Sequence, residues 1–182
     1  QGIELLPDSP WSPRVREIQD GHGFGNIYQK DGKDNPSLFQ PLGSMVVAYM
    51  GEMFALDINN TLLLSRLVLP FVVFLLIYSF VFLISRDKFV ALSSTAVLLL
   101  ADSLLGFHSF LPILHGVSPD HFLRLARPVN PAMIYFFLFS FLASFWLFYK
   151  EKKLIYGVIS GILLGLNFYN YFYTWTYLYA FG

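Results

Sequence analysis

Four long apolar stretches dominate the chain after its first third, and charged turns or polar loops separate them. They cover residues 67–85, 89–107, 131–149 and 154–177. Each has about the twenty mostly uncharged residues that a helix needs to cross the hydrocarbon core of a bilayer. The pattern predicts an all-α, polytopic membrane protein with about four transmembrane helices in this segment.

The composition agrees with a lipid environment. The chain is 55% hydrophobic and 13% charged, whereas soluble domains are about 45–50% apolar and about 25% charged. The formal net charge is zero, which gives no electrostatic basis for binding nucleic acid. The sequence has no cysteine, and this excludes a disulfide framework, a thiolate metal site and a cysteine nucleophile.

Two short basic turns predict the orientation. Residues 86–88 (RDK) and 150–153 (KEKK) together carry five of the twelve Lys and Arg residues. By the positive-inside rule both turns are cytoplasmic. The longer segments 1–66 and 108–130 then form two extracytoplasmic loops, so we expect a plasma membrane protein whose chemistry lies outside the cytoplasm.

Small and aromatic residues mark the predicted spans. Gly157, Gly161 and Gly165 are four residues apart, which places them on one helix stripe and predicts close contact with a neighbouring helix. Pro70 is expected in the first turn of its span, where a missing N–H is tolerated. The aromatic residues at the end of the fourth span either form an interfacial belt or line a cavity. Asp102 lies inside a span and is expected to pair with a nearby arginine, Arg66 or Arg124.

The first polar loop contains two predicted surface helices. Ser12 and Pro13 resemble an N-cap and first helical residue, predicting a helix over 14–20 that Gly21 closes. The segment 41–57 predicts an amphipathic helix in the outer membrane interface. Asp8 precedes the first of these helices and follows an apolar remnant of an upstream span, so the chain reads as a fragment of a longer protein. On this evidence alone Asp8 is either a functional carboxylate or a helix-entry charge that interacts with the dipole.

The same loop resembles the first extracytoplasmic loop of GT-C class membrane glycosyltransferases. Residues 8–14 (DSPWSPR) are similar to the Asp-Pro-Trp/Tyr…Arg opening of oligosaccharyltransferase catalytic subunits. Residues 16–21 (REIQDG) resemble the helix-then-glycine pattern of bacterial relatives. Residues 35–43 (NPSLFQPLG) are similar to the Pro-Pro-Leu segment that enters the next membrane helix in protein mannosyltransferases and aminoarabinose transferases.

The resemblance implies an activity and a set of site residues. The enzyme would transfer a sugar from a polyprenyl-phosphate-linked donor to an acceptor at the extracytoplasmic face. Asp8 would be the catalytic residue, either as the base for the acceptor hydroxyl or by holding a divalent ion and the acceptor, and Arg14 would bind substrate. Asp120 and His121 lie where relatives carry an acidic motif that binds a divalent cation such as Mg or Mn, although the Asp-x-Asp pattern is absent here. The implied partners are the lipid-linked donor, membrane lipids and the C-terminal part of the same chain.

Two arginines in the second loop are candidates for binding a phosphate group. A helix is predicted over residues 119–126. Arg124 lies within it and Arg127 directly follows it. The two arginines are three residues apart, so their guanidinium groups can share one helix face. Guanidinium groups bind phosphate oxygens in a bidentate manner, and the donor phosphate is one expected ligand. The alternative is that both side chains extend to lipid headgroups.

Two other classes of function remain open from the sequence. A transporter or flippase fragment would place broken helices and polar residues near the middle of the membrane. A non-catalytic membrane scaffold would not bring Asp8 and the second loop together. The nearly uncharged spans and the polar outer loops favour the glycosyltransferase.

Overall fold

The computed structural model describes residues 11–23, 40–105 and 131–171, together with Thr174, Thr176 and Leu178; for 101–105 it describes the backbone alone. This part of the chain forms six α-helices and no strand. They are α1 (Trp11–Gln19), α2 (Leu42–Met53), α3 (Ile58–Ser85), α4 (Lys88–Leu105), α5 (Met133–Glu151) and α6 (Leu154–Asn170). The prediction of an all-α fold is therefore confirmed for the described residues.

Two helical hairpins with the same kind of connection form the body of the structure. Between α3 and α4 the turn consists of residues 86–87, and between α5 and α6 it consists of 152–153. The first residue of each turn has a left-handed backbone, with φ of 58° at Arg86 and 55° at Lys152. Each donates its N–H to a carbonyl four residues earlier, at 2.9 Å, which ends the preceding helix in an αL cap.

The second residue of each turn begins the next helix in a different way. Asp87 Oδ1 accepts the backbone N–H groups of Phe89 at 2.7 Å and Val90 at 3.1 Å, so Asp87 is the N-cap of α4. Lys153 occupies the equivalent position before α6 and makes no side-chain cap. Its Nζ lies 2.8 Å from Glu151 Oε2 instead. The hydrogen bond and the charge of Glu151 raise the pKa of Lys153 above the usual lysine value.

The helices α3 and α5 run parallel to each other. Leu62 and Leu69, early in α3, belong to the same core cluster as Met133 and Phe137, early in α5. Further along α3, the Phe80 ring meets the Phe139 ring edge-on with their centroids 5.8 Å apart. Because both hairpins start at the same end, both turns lie toward the opposite end of the bundle.

The helices α1 and α2 pack against the end of the bundle that lies away from the turns. Val15 and Ile18 of α1 and Val47 and Ala48 of α2 are buried in the cluster that includes Leu62 of α3. The buried face of α2 contains small residues, namely Gly43, Ser44, Val47, Ala48 and Gly51. Met53 and Phe54, at the C-terminal end of α2, are exposed. One side of α2 is thus packed against protein while its end presents large apolar side chains outward.

Two of the helices are long and apolar enough to cross a membrane: α3, with 28 residues, and α5, with 19. Their most apolar windows are only 17% and 22% buried, whereas the core helix of a soluble protein is mostly buried. The apolar helices at Lys88–Leu100 and Leu154–Asn170 are shorter. Of the four or so spans expected, two helices of spanning length are found among the described residues.

Two helix boundaries differ from those that the sequence predicts. The helix α3 begins at Ile58 and not at Leu67, because Asp57 is extended at the N-cap position and the two asparagines after it form the first turn. Pro70 consequently lies inside α3, where it removes one helical hydrogen bond, and not in a first turn. At the other end of the described chain, α6 ends at Asn170 and Tyr171 is extended, so the predicted span to residue 177 is not one continuous helix.

The glycine stripe of α6 makes only one close contact. A Cβ at Gly157 would lie 3.0 Å from the Phe148 ring, so this glycine permits the approach of α5. A Cβ at Gly161 or Gly165 would meet no heavy atom within 4 Å. The predicted close packing is therefore found at Gly157 and not at the other two positions within the described residues. The helices α5 and α6 stay in contact further along through Asn167 and Asn170, so Gly161 and Gly165 lie on a face of α6 that does not make this contact.

Candidate functional site

The short helix α1 holds the segment that the sequence singles out, and its C-terminal end is built as predicted. Gly21 has φ of 97° and donates to Ile18 O at 3.0 Å, while His22 donates to Glu17 O at 3.0 Å. This pair of bonds is the Schellman motif, which needs a residue with positive φ at the position of Gly21. The N-terminal end differs from the prediction, because Trp11 and Ser12 are already helical and Ser12 is not an external cap.

Arg14, the predicted substrate-binding arginine, lies on the buried face of α1. Its exposed fraction is 2%, and it neighbours the fully buried Val15. The guanidinium carbon lies 5.6 Å from the centroid of the Trp11 ring, within the range of a cation–π contact. A buried arginine is held in place by its surroundings, so its charge has a fixed position at the first turn of α1.

A hydrogen-bonded junction fixes the other end of α1 to α3. Gln19 Nε2 donates to Thr61 Oγ1 at 3.0 Å and lies 3.4 Å from Leu56 O. Thr61 is fully buried, and its hydroxyl lies 3.4 Å from the same Leu56 carbonyl. Gly51 of α2 faces this junction, and a Cβ there would overlap the side chains of both Thr61 and Gln19. Three helices therefore meet around one buried hydroxyl.

Two asparagines near the end of α6 bind the backbone of α5. Asn167 Nδ2 donates to Leu163 O at 2.8 Å and lies 3.4 Å from Phe137 O, while Asn170 Nδ2 donates to Met133 O at 3.1 Å. The two amides are three residues apart, so they share one helix face. Amides inside an apolar stretch usually have partners on a neighbouring helix, and this signal in the sequence could have identified the contact.

Most of the predicted site residues lie outside the described residues. These are the proposed base Asp8, the proposed metal or acceptor contacts Asp120 and His121, and the proposed phosphate ligands Arg124 and Arg127. Of the predicted set, only Arg14 has a described position. Asp102 is within α4, but its side chain also lies outside the description.

The charged residues near the C-terminal end of α1 are at least partly exposed to solvent, as is usual on the outer face of a surface helix. Asp20 is exposed and lies 3.9 Å from Arg16, as expected for a solvated residue at a helix C-terminus. His22 is partly exposed, with its Nε2 3.9 Å from Glu17 Oε2. Among the residues that the structure describes, no group of three His, Asp or Glu side chains could hold a metal ion.

The buried hydroxyls of the long helices bind their own backbone. Ser65 donates to Leu62 O at 2.8 Å, Thr95 donates to Ala91 O at 2.7 Å, and Ser144 lies 2.9 Å from both Ser140 O and Phe141 O. Such bonds satisfy a hydroxyl within one helix. These side chains therefore do not form a continuous polar path along the bundle.

No protein-family model matches this sequence, and no curated protein and no solved structure matches it either.

Proposed function

We propose that this chain is the membrane-embedded part of a GT-C type glycosyltransferase that transfers a sugar from a polyprenyl-phosphate donor to an acceptor at the extracytoplasmic face of the plasma membrane. The observation that carries the proposal is the position of α1. This helix directly follows the segment of Asp8 and packs on the end of the bundle opposite the two basic turns. A membrane-surface site is expected at that end.

A membrane location is supported by the exposed apolar side chains of the hairpins. Large side chains such as Leu67, Phe71 and Phe89 are 62–84% exposed. Soluble monomers rarely expose contiguous apolar surfaces of this kind, and lipid chains would cover them at no cost. The Lys and Arg residues of the two turns lie toward the same end of the bundle, which the positive-inside rule would assign to the cytoplasm.

In the proposed reaction Asp8 accepts the proton of the acceptor hydroxyl. The acceptor oxygen then forms a bond to the anomeric carbon of the sugar, and the bond from that carbon to the phosphate oxygen breaks with its electron pair on the phosphate. Arg124 and Arg127 would neutralise the charge that develops on this leaving group. Asp120 and His121 would hold a divalent cation, should the reaction use one.

Arg14 would bind the substrate through its guanidinium charge, the role that the resemblance implies. The charge has a fixed position, because Arg14 is 2% exposed and its guanidinium lies 5.6 Å from the centroid of the Trp11 ring. The side chain would therefore lose little further freedom when the substrate binds.

The rival transporter reading has less support. A translocation path needs polar groups that line a cavity through the middle of the membrane. In the described helices several buried hydroxyls, such as those of Ser65 and Thr95, bind their own backbone and leave no donor for such a path.

The test compares two aspartates of the same loop in the full-length protein. With a radiolabelled polyprenyl-phosphate sugar as donor, Asp8→Asn should reduce turnover by at least about 100-fold, the usual contribution of a general base. Asp20→Asn should leave turnover nearly unchanged, because Asp20 is exposed and pairs only with Arg16 at 3.9 Å. Equal effects of the two substitutions, or an active Asp8→Asn variant, would show that Asp8 is not the base.

A further inference from the structure

Two polar side chains lie at opposite edges of the packed face of α1. An α-helix turns by about 100° per residue, so Arg14 and Gln19, five positions apart, are separated by about 140° around the axis of α1. The residues that fall between them, Trp11, Val15 and Ile18, belong to the core cluster or pack against it. Arg14 therefore marks one edge of the packed face, and Gln19 marks the other.

The apolar part of this face does not by itself fix the rotation of α1 about its axis. Hydrophobic contacts are non-directional, so a small roll of the helix leaves Val15 and Ile18 in contact with the core. A hydrogen bond is directional and weakens steeply outside a narrow range of distance and angle. Gln19 makes its hydrogen bonds from the edge of the face, where a roll of α1 carries the amide toward α3 or away from it.

The amide of Gln19 is attached to two acceptors outside α1. Its Nε2 lies 3.0 Å from Thr61 Oγ1 and 3.4 Å from Leu56 O. Both acceptors are held in place, because Thr61 is fully buried on α3 and the N–H of Leu56 donates to Gly51 O at 2.9 Å. They cannot follow a movement of α1, so the two hydrogen bonds restrain its rotation.

A small rotation of α1 would displace the guanidinium of Arg14 by a distance that matters for binding. A roll of about 20° moves a side-chain atom at a radius of about 5 Å by about 2 Å. A misplacement of about 1 Å in a substrate site can cost a factor of about 100 in activity. The restraint that Gln19 places on α1 is therefore also a restraint on the position of Arg14.

We propose that Gln19 is a positioning residue, which fixes the rotation of α1 through Thr61 and Leu56 and thereby holds the Arg14 guanidinium in place for the substrate. The substrate role of Arg14 rests on the proposed function, whereas the restraint on α1 rests on the contacts of Gln19. Gln19 acts through the helix, since positions 14 and 19 are about 7.5 Å apart along its axis.

The experiment measures sugar transfer from a radiolabelled polyprenyl-phosphate sugar by the full-length protein. Gln19→Met keeps an unbranched side chain of similar length and removes both hydrogen bonds. It should raise KM at least about tenfold with little change in kcat, because a displaced arginine weakens substrate binding. A loss of stability alone would reduce the amount of active enzyme, which lowers the apparent kcat at an unchanged KM. Arg16→Met is the matched control, because Arg16 lies on the exposed face of the same helix, and it should change neither constant.

Three further variants test whether the effect passes through the bond to Thr61 and through Arg14. Thr61→Val removes the acceptor, keeps the shape of the side chain and should raise KM, whereas Thr61→Ser keeps the hydroxyl and should leave KM normal. In an Arg14→Met background, Gln19→Met should raise KM no further, because the arginine that it positions is absent. Such non-additivity is expected of residues that act as one unit.

A thiol probe reports the rotation of α1 independently of sugar transfer. The chain contains no cysteine, so the thiol of Ile18→Cys is unique, and Ile18 is 4% exposed. Reaction of this thiol with a maleimide should accelerate severalfold when Gln19→Met is added. Arg16→Met should not accelerate it.

Several results would overturn the inference. These are a KM of Gln19→Met equal to that of Arg16→Met, a fall in kcat at an unchanged KM, and a full additional effect in the Arg14→Met background. Unchanged thiol reactivity in Gln19→Met, in a protein whose sugar transfer depends on Asp8, would remove the restraint and leave the proposed function intact. Increased reactivity in a protein that transfers no sugar would confirm the restraint and overturn the proposed function together with the substrate role of Arg14.

Discussion

The amide nitrogen of Gln19 lies 3.0 Å from the hydroxyl of Thr61, and this bond joins the end of α1 to the beginning of α3. The two residues are 42 positions apart in the sequence. They meet because Gly51 of α2 leaves room for both side chains. The position of α1 therefore depends on the Thr61 hydroxyl and on the absence of a side chain at Gly51.

The first prediction concerns Gly51. Gly51→Ala should destabilise the protein by about 1–3 kcal/mol, the usual cost of inserting a group into a packed interior, because the new methyl group overlaps Thr61 and Gln19. Thermal unfolding of the detergent-solubilised protein measures the change. Gly161→Ala is the control, since its Cβ meets open space, and it should be neutral or stabilising by up to about 1 kcal/mol. Equal stabilities of the two variants would contradict the packing of α2 on this junction.

The second prediction concerns the amides that join α6 to α5. Asn170→Ala removes the bond to the Met133 carbonyl at 3.1 Å and should cost about 0.6–2 kcal/mol, the range for polar contacts between membrane helices. Asn59→Ala removes an exposed asparagine from the first turn of α3 and should change stability little. The same unfolding measurement compares them. A loss at Asn59 as large as that at Asn170 would argue against a specific amide contact.

The third prediction concerns pH. Glu151 raises the pKa of Lys153, so the stabilising effect of this ion pair is fully present below the unfolded lysine value of about 10.4 and is lost as the pH rises through the higher folded value. The pH dependence of Lys153 acylation, followed by mass spectrometry, measures this titration. Glu151→Gln should move it to lower pH. Glu52→Gln, a change on α2, should leave it in place, and an unchanged titration in Glu151→Gln would contradict the pairing.

The fourth prediction concerns the membrane faces reached by the two turns. Because α3 and α5 are parallel, cysteines placed at Lys88 and Lys152 should respond alike to an impermeant thiol reagent. Both should resist the reagent when it is applied from outside the cell and react after the cells are opened. A cysteine at Asp20 is expected to react from outside. If either turn reacts readily from outside, the orientation is reversed and the proposed site faces the cytoplasm.

The turns of the two hairpins could be predicted from the sequence because short charged motifs interrupt otherwise apolar stretches. Arg86 and Lys152 lie within the motifs that were read as turns, and Gly21 has the positive φ that a helix-closing glycine needs. These features depend on neighbours in the chain. Local chemistry was therefore sufficient to locate them.

Features that depend on distant residues could not be predicted in the same way. The predicted span begins at residue 67, but α3 already starts at Ile58, with Asp57 at the N-cap position and Asn59 and Asn60 exposed in the first turn. Whether Gly161 contacts a neighbour depends on which face of α6 packs against α5, and the glycine spacing carries no information about that. The convergence of Asp8 with Arg124 and Arg127 stays a prediction, since these residues lie outside the described part of the chain.

The left-handed residues in the two hairpin turns have a consequence for the evolution of this protein. A side chain in that backbone conformation costs about 1–2 kcal/mol, which glycine avoids. Arg86 and Lys152 occupy positions where glycine would be more stable, and both place a positive charge at the same end of the bundle. Substitution by glycine would strengthen the fold and, under the proposed topology, weaken the charge asymmetry that directs insertion. Under that topology, folding stability and a single membrane orientation place opposing demands on these two positions.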